Sequence, residues 1–146
     1  MPINPSSTKR IIDANINRAK EGLRVCEEIL RFMLNNKQLT RTIKDIRHKI
    51  DAAVKKLHLS AGELLKERAI DKDVGRSVTG KELHRRHIID IFTANIQRTK
   101  ESLRVLEEFS KLQNVRAARE FKQIRYQTYA LEKKAIERIT ALFDTR

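Results

Sequence analysis

Apolar residues recur at alternating spacings of three and four along most of the chain. One series runs Ile12, Ile16, Ala19, Leu23, Cys26, Leu30 and Met33, and a second Leu39, Ile43, Ile46, Ile50, Ala53 and Leu57. A third runs Phe92, Ile96, Thr99, Leu103 and Leu106, and a fourth Phe121, Ile124, Thr128, Leu131, Ala135 and Ile139. This is the period of amphipathic helices, and no strand-like alternation competes with it. It predicts long helices near 7–35, 40–58, 80–112 and 115–143, a short helix over 61–68 and a loop over 68–80. Thr40 and Asn114 suit N-caps, while "SAGE" (60–63) and "TGKE" (79–82) fit the S/T-x-x-E capping box. The only prolines are Pro2 and Pro5, so none breaks a helix further on. Four long helices on short turns predict an all-α antiparallel bundle, one domain over 1–146.

The polar positions repeat as faithfully as the apolar ones. "DANINRAKEGLRVCEEILRF" (13–32) returns as "TANIQRTKESLRVLEEFSKL" (93–112) with eleven of twenty residues identical. "IKDIRH" (43–48) returns as "FKQIRY" (121–126), keeping Lys44/Lys122 and Arg47/Arg125. The chain therefore reads as an internally duplicated helix hairpin, with halves near 7–58 and 80–143 joined by 59–79 and packed about a pseudo-twofold axis.

A helix turns about 100° per residue, which sorts the repeated polar residues by direction. Beside the core stripe of the first helix lies a mixed face holding Asn15, Arg18, Gly22, Val25, Glu21 and Glu28. Asn95, Arg98, Ser102, Val105, Glu101 and Glu108 take the same places in the third. Lys20, Arg24 and Glu27 fall nearer the outer face. Gly22 costs about 1 kcal/mol relative to Ala in a helix interior, which implies that another helix or a ligand comes close. Two uses of this face stand side by side. One is hydrogen bonding and ion pairing between helices. The other is a shared cleft lined by Arg18, Arg98, Arg47 and Arg125, a set suited to phosphate because the guanidinium fork is bidentate and always charged.

Net charge and composition narrow the partners. The formal charge is +13, which favours an anionic partner, although solvated helix faces account for many individual charges. Aromatics are 5% and the basic residues are interleaved with Glu, which disfavours nucleic acid. No apolar run spans a membrane, the N-terminus lacks a signal core, and a lone Cys fits a reducing cytoplasm. Cys26 aligns with Leu106 on the core stripe and reads as a small buried hydrophobe. His84 and His87 lack a third metal ligand, and His48 aligns with Tyr126 near the expected cleft. "GRSVTGKE" (75–82) imitates a phosphate-binding loop but has Glu82 where a hydroxyl belongs and no strand before it. In the same loop, Asp71 and Asp73 are the carboxylates best placed for Mg²⁺, or else a solvated turn.

"RIIDANINRAKEGLRVCEEILRF", "IKDIRHKI", "LLKERAIDKDVG" and "ANIQRTKESLRVLEEFSKL…FKQIRYQTYALEK" resemble the helical domain at the N-terminus of some bacterial thiamine-phosphate synthases, which also occurs alone. The resemblance runs from about Arg10 to Lys133. It implies hydroxymethylpyrimidine phosphate kinase activity, with ATP and Mg²⁺, in thiamine biosynthesis. Arg18, Arg98, Arg47 and Arg125 would clamp phosphates. Asn15 and Asn95 would bond the aminopyrimidine or a phosphate, and Glu28 and Glu108 would orient those arginines or hold Mg²⁺. Gly22, Ser102, His48, Tyr126 and Arg68 would line the substrate site, with Asp73 and Gly75 closing a loop over it. Two departures stand out. The α/β barrel of the synthases has no counterpart in this sequence, and Ala69 stands where the family pattern has Asp after Arg68. The rival class is a non-catalytic basic helical module for nucleic acid or for a thiamine-phosphate synthase barrel on a separate chain. Self-association into a homo-oligomer is open.

Overall fold

The computed structural model describes residues 4–77 and 80–144. Among them every regular element is helical. Helix α1 spans Pro5–Glu28, with Pro5 in the first turn and the Asn4 side chain accepting from the Ser6 N–H. It runs on through a π turn at Ile29–Met33. Asn35 then adopts φ 52°, a left-handed conformation that Asn tolerates, and reverses the chain. Helix α2 spans Lys37–Lys55. Its cap is Asn36, whose Oδ1 accepts the Leu39 N–H at 2.9 Å, rather than the expected Thr40. Thr40 lies buried in the first turn, where its hydroxyl donates to the Asn36 carbonyl at 2.7 Å. Both residues can cap a helix, and the one at the true start does.

Helix α3, Ala61–Glu67, is capped by Ser60 as the sequence indicates. The following loop holds a short 3₁₀ turn at Ile70–Lys72. The third long helix differs from expectation. Gly80–Leu83 forms a separate single turn, α4, and the long helix α5 begins only at Ile88 and ends at Ser110. The break follows from Asp90, whose carboxylate accepts the N–H groups of Arg86 and His87 and starts a new helix. Of the "TGKE" box, Thr79 lies outside the described residues. Helix α6, Val115–Asp144, is capped by Asn114 as expected.

The apolar stripes become one core. Ile12, Leu23, Leu30, Ile43, Ile46, Ile50, Phe92, Ile96, Leu103, Leu106, Phe121 and Leu131 are all wholly buried. Each such side chain is worth about 1.5–3 kcal/mol, so these stripes hold the molecule together. Met33, at the end of the first stripe, is instead half exposed in the π turn.

Helix α1 packs on α5, with α2 and α6 packing on one another and each on its hairpin partner. The Ala19 carbonyl accepts the Thr99 hydroxyl at 3.1 Å, and the Phe92 carbonyl accepts from Cys26 at 3.6 Å. Rising numbers in α1 thus meet falling numbers in α5, so the two helices cross antiparallel near Ala19 and Thr99. Gly22 lies at this crossing. A Cβ there would come within 2.3 Å of Thr99 Oγ1 and 2.6 Å of the Asn95 backbone oxygen. The close neighbour implied by Gly22 is therefore helix α5.

Candidate functional site

Residues between 7 and 21 of α1 and between 68 and 73 line a groove of about 540 Å³. Their placement starts with Asp13, in the third turn of α1 and 6% exposed. Its two carboxylate oxygens accept from Arg68 Nε and Nη2 at 2.8 and 2.7 Å, a bidentate pair that holds the loop against the helix. The Arg68 guanidinium is raised above its ordinary value, first by that hydrogen bond and then by the Asp13 charge. Asn17 donates to the Asp13 carboxylate, and Arg10 donates to the Ala69 carbonyl at 3.5 Å. Further along, Ser6 donates to Glu67 at 2.5 Å and Lys9 approaches Glu63 at 3.9 Å, fastening α3 to α1.

Of the residues singled out in the sequence, Asn15, Arg18, Arg68 and Asp73 line this groove together. Arg18 is exposed and has no ion pair among the described residues, which leaves its guanidinium open to an anion. Asn15 donates to the Ile11 carbonyl at 2.8 Å, so its Oδ1 is the end turned to acceptor chemistry. Asn95 makes the same bond to Ile91 in α5. Glu21 of the mixed face also lines it, as do Arg10, Asp13 and Asn17, which were not among the expected residues.

The expected four-arginine cleft is not assembled. Arg47 donates through Nε and Nη2 to Glu27 Oε1 at 3.3 and 3.2 Å. Arg125 makes the same pair of bonds to Glu107 Oε1 at 3.2 and 3.1 Å. Arg24 and Arg104 also reach these carboxylates. Glu27 is wholly buried rather than near the outer face, because Arg47 from α2 supplies the counter-charge that a helix wheel does not show. Burial works against the Arg125 charge, but hydrogen bonds to Glu107 and Tyr129 raise its pKa overall. Glu27 and Glu107 each lie eight residues past the antiparallel crossing, which sets the two arginine pairs about 24 Å apart at opposite ends of the crossed helices.

The remaining candidates are dispersed. Ser102 is buried, as is Gly22 at the α1–α5 crossing. His48 is exposed on α2, and Tyr126 is exposed beside Arg125, whose guanidinium lies 5.2 Å from its ring centre. Glu28 is exposed. Glu108 is held by Lys111 and Arg104, and its hydrogen bond with Lys111 is the main cause of a carboxyl pKa below the ordinary range. Asp71 pairs with Arg76 at 3.5 Å, and Asp73 accepts the Gly75 N–H at 3.0 Å in an exposed turn. No cluster of three His, Cys, Asp or Glu side chains is arranged for a metal among the described residues. The carboxylates expected to hold Mg²⁺ do not converge, and only Asp73 lines the groove. Cys26 is wholly buried with its thiol pushed up to about 12, first by burial and then by Glu132, which suits the small buried hydrophobe expected of it. No helix in the described residues is long and apolar enough to cross a membrane.

This groove sits within a chain that belongs to the ThiD2 family, whose pattern matches residues 10–134. The chain is 40% identical over 130 residues to a thiamine-phosphate synthase of Synechocystis, covering 88% of this chain and 36% of the relative. It is 44% identical over 124 residues to a thiamine-phosphate synthase of Nostoc punctiforme, covering 84% and 34%. A thiamine-phosphate synthase of Rhodopirellula baltica is 42% identical over 122 residues, covering 83% and 32%. The chain thus spans about a third of the length of these relatives. No solved structure matches it.

Proposed function

We propose that this protein is a kinase of thiamine biosynthesis that transfers the γ-phosphate of ATP to 4-amino-5-hydroxymethyl-2-methylpyrimidine phosphate. The observation that carries the reading is the groove along α1, where the Asn15 amide, the unpaired Arg18 and the Arg68–Asp13 pair converge. The membership in the ThiD2 family and the relatives' role as thiamine-phosphate synthases support the pathway. The Asn15 oxygen suits the exocyclic amino group of the pyrimidine, and Arg18 suits its phosphate. A phosphate monoester is largely dianionic at pH 7, so the acceptor oxygen needs no base. That oxygen forms a bond to the γ-phosphorus, the bond from the γ-phosphorus to the β–γ bridging oxygen breaks, and ADP leaves. The protein's task is alignment and charge neutralisation. Asp73 would hold Mg²⁺, which would supply charge neutralisation for the ATP phosphates while keeping several of its waters. Asn95 and Arg98 offer the same amide and guanidinium on α5 for the nucleotide. In this reading the fold is an antiparallel four-helix bundle built from a duplicated hairpin. The recurrence of Arg47–Glu27 as Arg125–Glu107, and of Asn15–Ile11 as Asn95–Ile91, supports it.

The test is a coupled assay with ATP, Mg²⁺ and hydroxymethylpyrimidine phosphate, with the product followed by phosphorus NMR. A diphosphate doublet is expected, and Arg18→Ala should lower kcat/KM by about 100-fold, the loss of one charged contact to a phosphate. No product from folded protein would sink the kinase reading. A second reading has one observation behind it, the relatives being about three times longer. It makes this chain a module that docks on a thiamine-phosphate synthase barrel, and co-purification of the two without diphosphate formation would favour it.

A further inference from the structure

A second polar cavity, of about 450 Å³, lies at the turn between α1 and α2. Arg31, Asn35, Lys37, Thr40, Arg41 and Lys44 line it, four of them cationic. No carboxylate is among its lining residues. Some basic side chains of this protein find acids, as Lys20, Lys56, Lys100 and Lys111 do. None of these four has an ion pair among the described residues, and the Arg31 guanidinium is stacked 5.0 Å from the centre of the Phe32 ring. Four uncompensated cations around one concavity focus a positive potential that draws and holds an anion.

The cavity is built by departures from the other half of the chain. Between the Glu-Glu pair of each first helix and the Lys-x-x-Arg of each second, the first half has two more residues than the second. That excess coincides with the π turn at Ile29–Met33, which carries Arg31, and with Asn35 at φ 52°. Lys37, Arg41 and Lys44 then follow at helical spacing on α2, beside the positive end of a 19-residue helix. The corresponding positions of the second half are Val115, Arg119 and Lys122, and Lys111, in the place of Arg31, is paired with Glu108.

We infer that the α1–α2 turn is a binding site for an oligophosphate, a chain of two or three linked phosphates either free or carried on a nucleotide. Four cations match the charge of such a chain better than that of a single phosphate. The site is separate from the groove. Arg31 lies thirteen residues beyond Arg18 on the same continuous helix, about 20 Å along its axis. The inference does not rest on the kinase reading.

The experiment is calorimetric titration of the full chain with inorganic triphosphate, ADP, inorganic phosphate and a short single-stranded RNA. The variants are Arg41→Ala/Lys44→Ala, the matched control Arg119→Ala/Lys122→Ala with the same charge loss, and Arg18→Ala, each checked for folding by circular dichroism. Triphosphate and ADP should displace one another at the α1–α2 turn, whether or not ADP also binds at Asn95 and Arg98, and phosphate should bind there at least tenfold more weakly. The α2 variant should lose about tenfold or more in triphosphate affinity, while the α6 control and Arg18→Ala change it less than threefold. Equal losses in the two double variants would reduce the effect to net charge and overturn the site. Loss in Arg18→Ala equal to that in the α2 variant would place the oligophosphate in the groove instead. RNA binding tighter than triphosphate would make the patch a nucleic-acid surface.

Discussion

Gly22→Ala isolates the crossing of α1 and α5. Two effects of opposite sign compete. Alanine in a helix interior gains about 1 kcal/mol over glycine. Against it, the new methyl would stand 2.3 Å from Thr99 Oγ1 and 2.6 Å from the Asn95 carbonyl oxygen. Thr99 is fully buried and its hydroxyl bonds both Ala19 and Asn95, so rotating it away breaks those bonds. The Asn95 oxygen is backbone and yields only if α5 moves. Overpacking of this kind costs about 1–3 kcal/mol and more where backbone must shift. Because the Asn95 contact is to backbone, the upper end of that cost, about 3 kcal/mol, applies, and, less the gain of about 1, it leaves a net loss of about 2 kcal/mol. For a chain of this length that lowers Tm by about 3–8 °C. Thermal denaturation followed by far-ultraviolet circular dichroism measures it. The cycle with Thr99→Ala adds a check, because removing Oγ1 relieves half of the clash. The double variant should lose less than the sum of the singles. An unchanged or higher Tm in Gly22→Ala would refute the close crossing and return Gly22 to the list of ligand-facing residues.

Other outcomes follow from features already described. Arg47→Ala strands the buried Glu27 carboxylate and should cost about 2–4 kcal/mol in urea denaturation, below the usual 3–5 because Arg24 still reaches it; a loss under 0.5 kcal/mol would show the pair to be unimportant. Asn36→Ala removes the true cap of α2 and should cost about 1 kcal/mol, whereas a cost in Thr40→Ala with none in Asn36→Ala would contradict the cap assignment. The Cys26 thiol, held at about 12 when folded against 9.0 ordinarily, stays protonated while the unfolded chain ionises. Its contribution is therefore complete below pH 9 and is lost as pH rises toward 12, by about 1.4 kcal/mol per unit. Cys26→Ala should show a shallower loss of stability over that range, and native Cys26 should resist thiol reagents at pH 8 until the chain unfolds.

The apolar period alone located the long helices, because core packing repeats every turn and leaves its mark on every third or fourth letter. It could not locate the break before Ile88. That break depends on one carboxylate, Asp90, bonding two backbone amides ahead of it. Glu27 was misplaced for a related reason. A wheel reports direction from its own helix and is blind to Arg47 on the next one. The groove was half legible. Asn15 and Arg18 stood out because the repeat preserves them as Asn95 and Arg98. Asp13, Asn17 and Arg10 did not, because their partners in the repeat are Thr93, Gln97 and Asp90. The groove combines what the halves share with what distinguishes them, and a search for shared letters finds only the first part.

The bonds that tie α1 to α5 join residues 66 and 80 positions apart, and the turns that join α1 to α2 and α5 to α6 are a few residues long. Each hairpin can therefore begin to form quickly from local contacts, whereas their meeting waits on closure of a long chain segment. The docking of two half-made hairpins is therefore the expected slow step in stopped-flow refolding, and Gly22 lies where they dock. The same arrangement leaves the exposed link at 74–77 outside the contacts that join the hairpins. A protease cut there would sever the chain while leaving both hairpins clasped through α1 and α5, as two fragments of one folded particle.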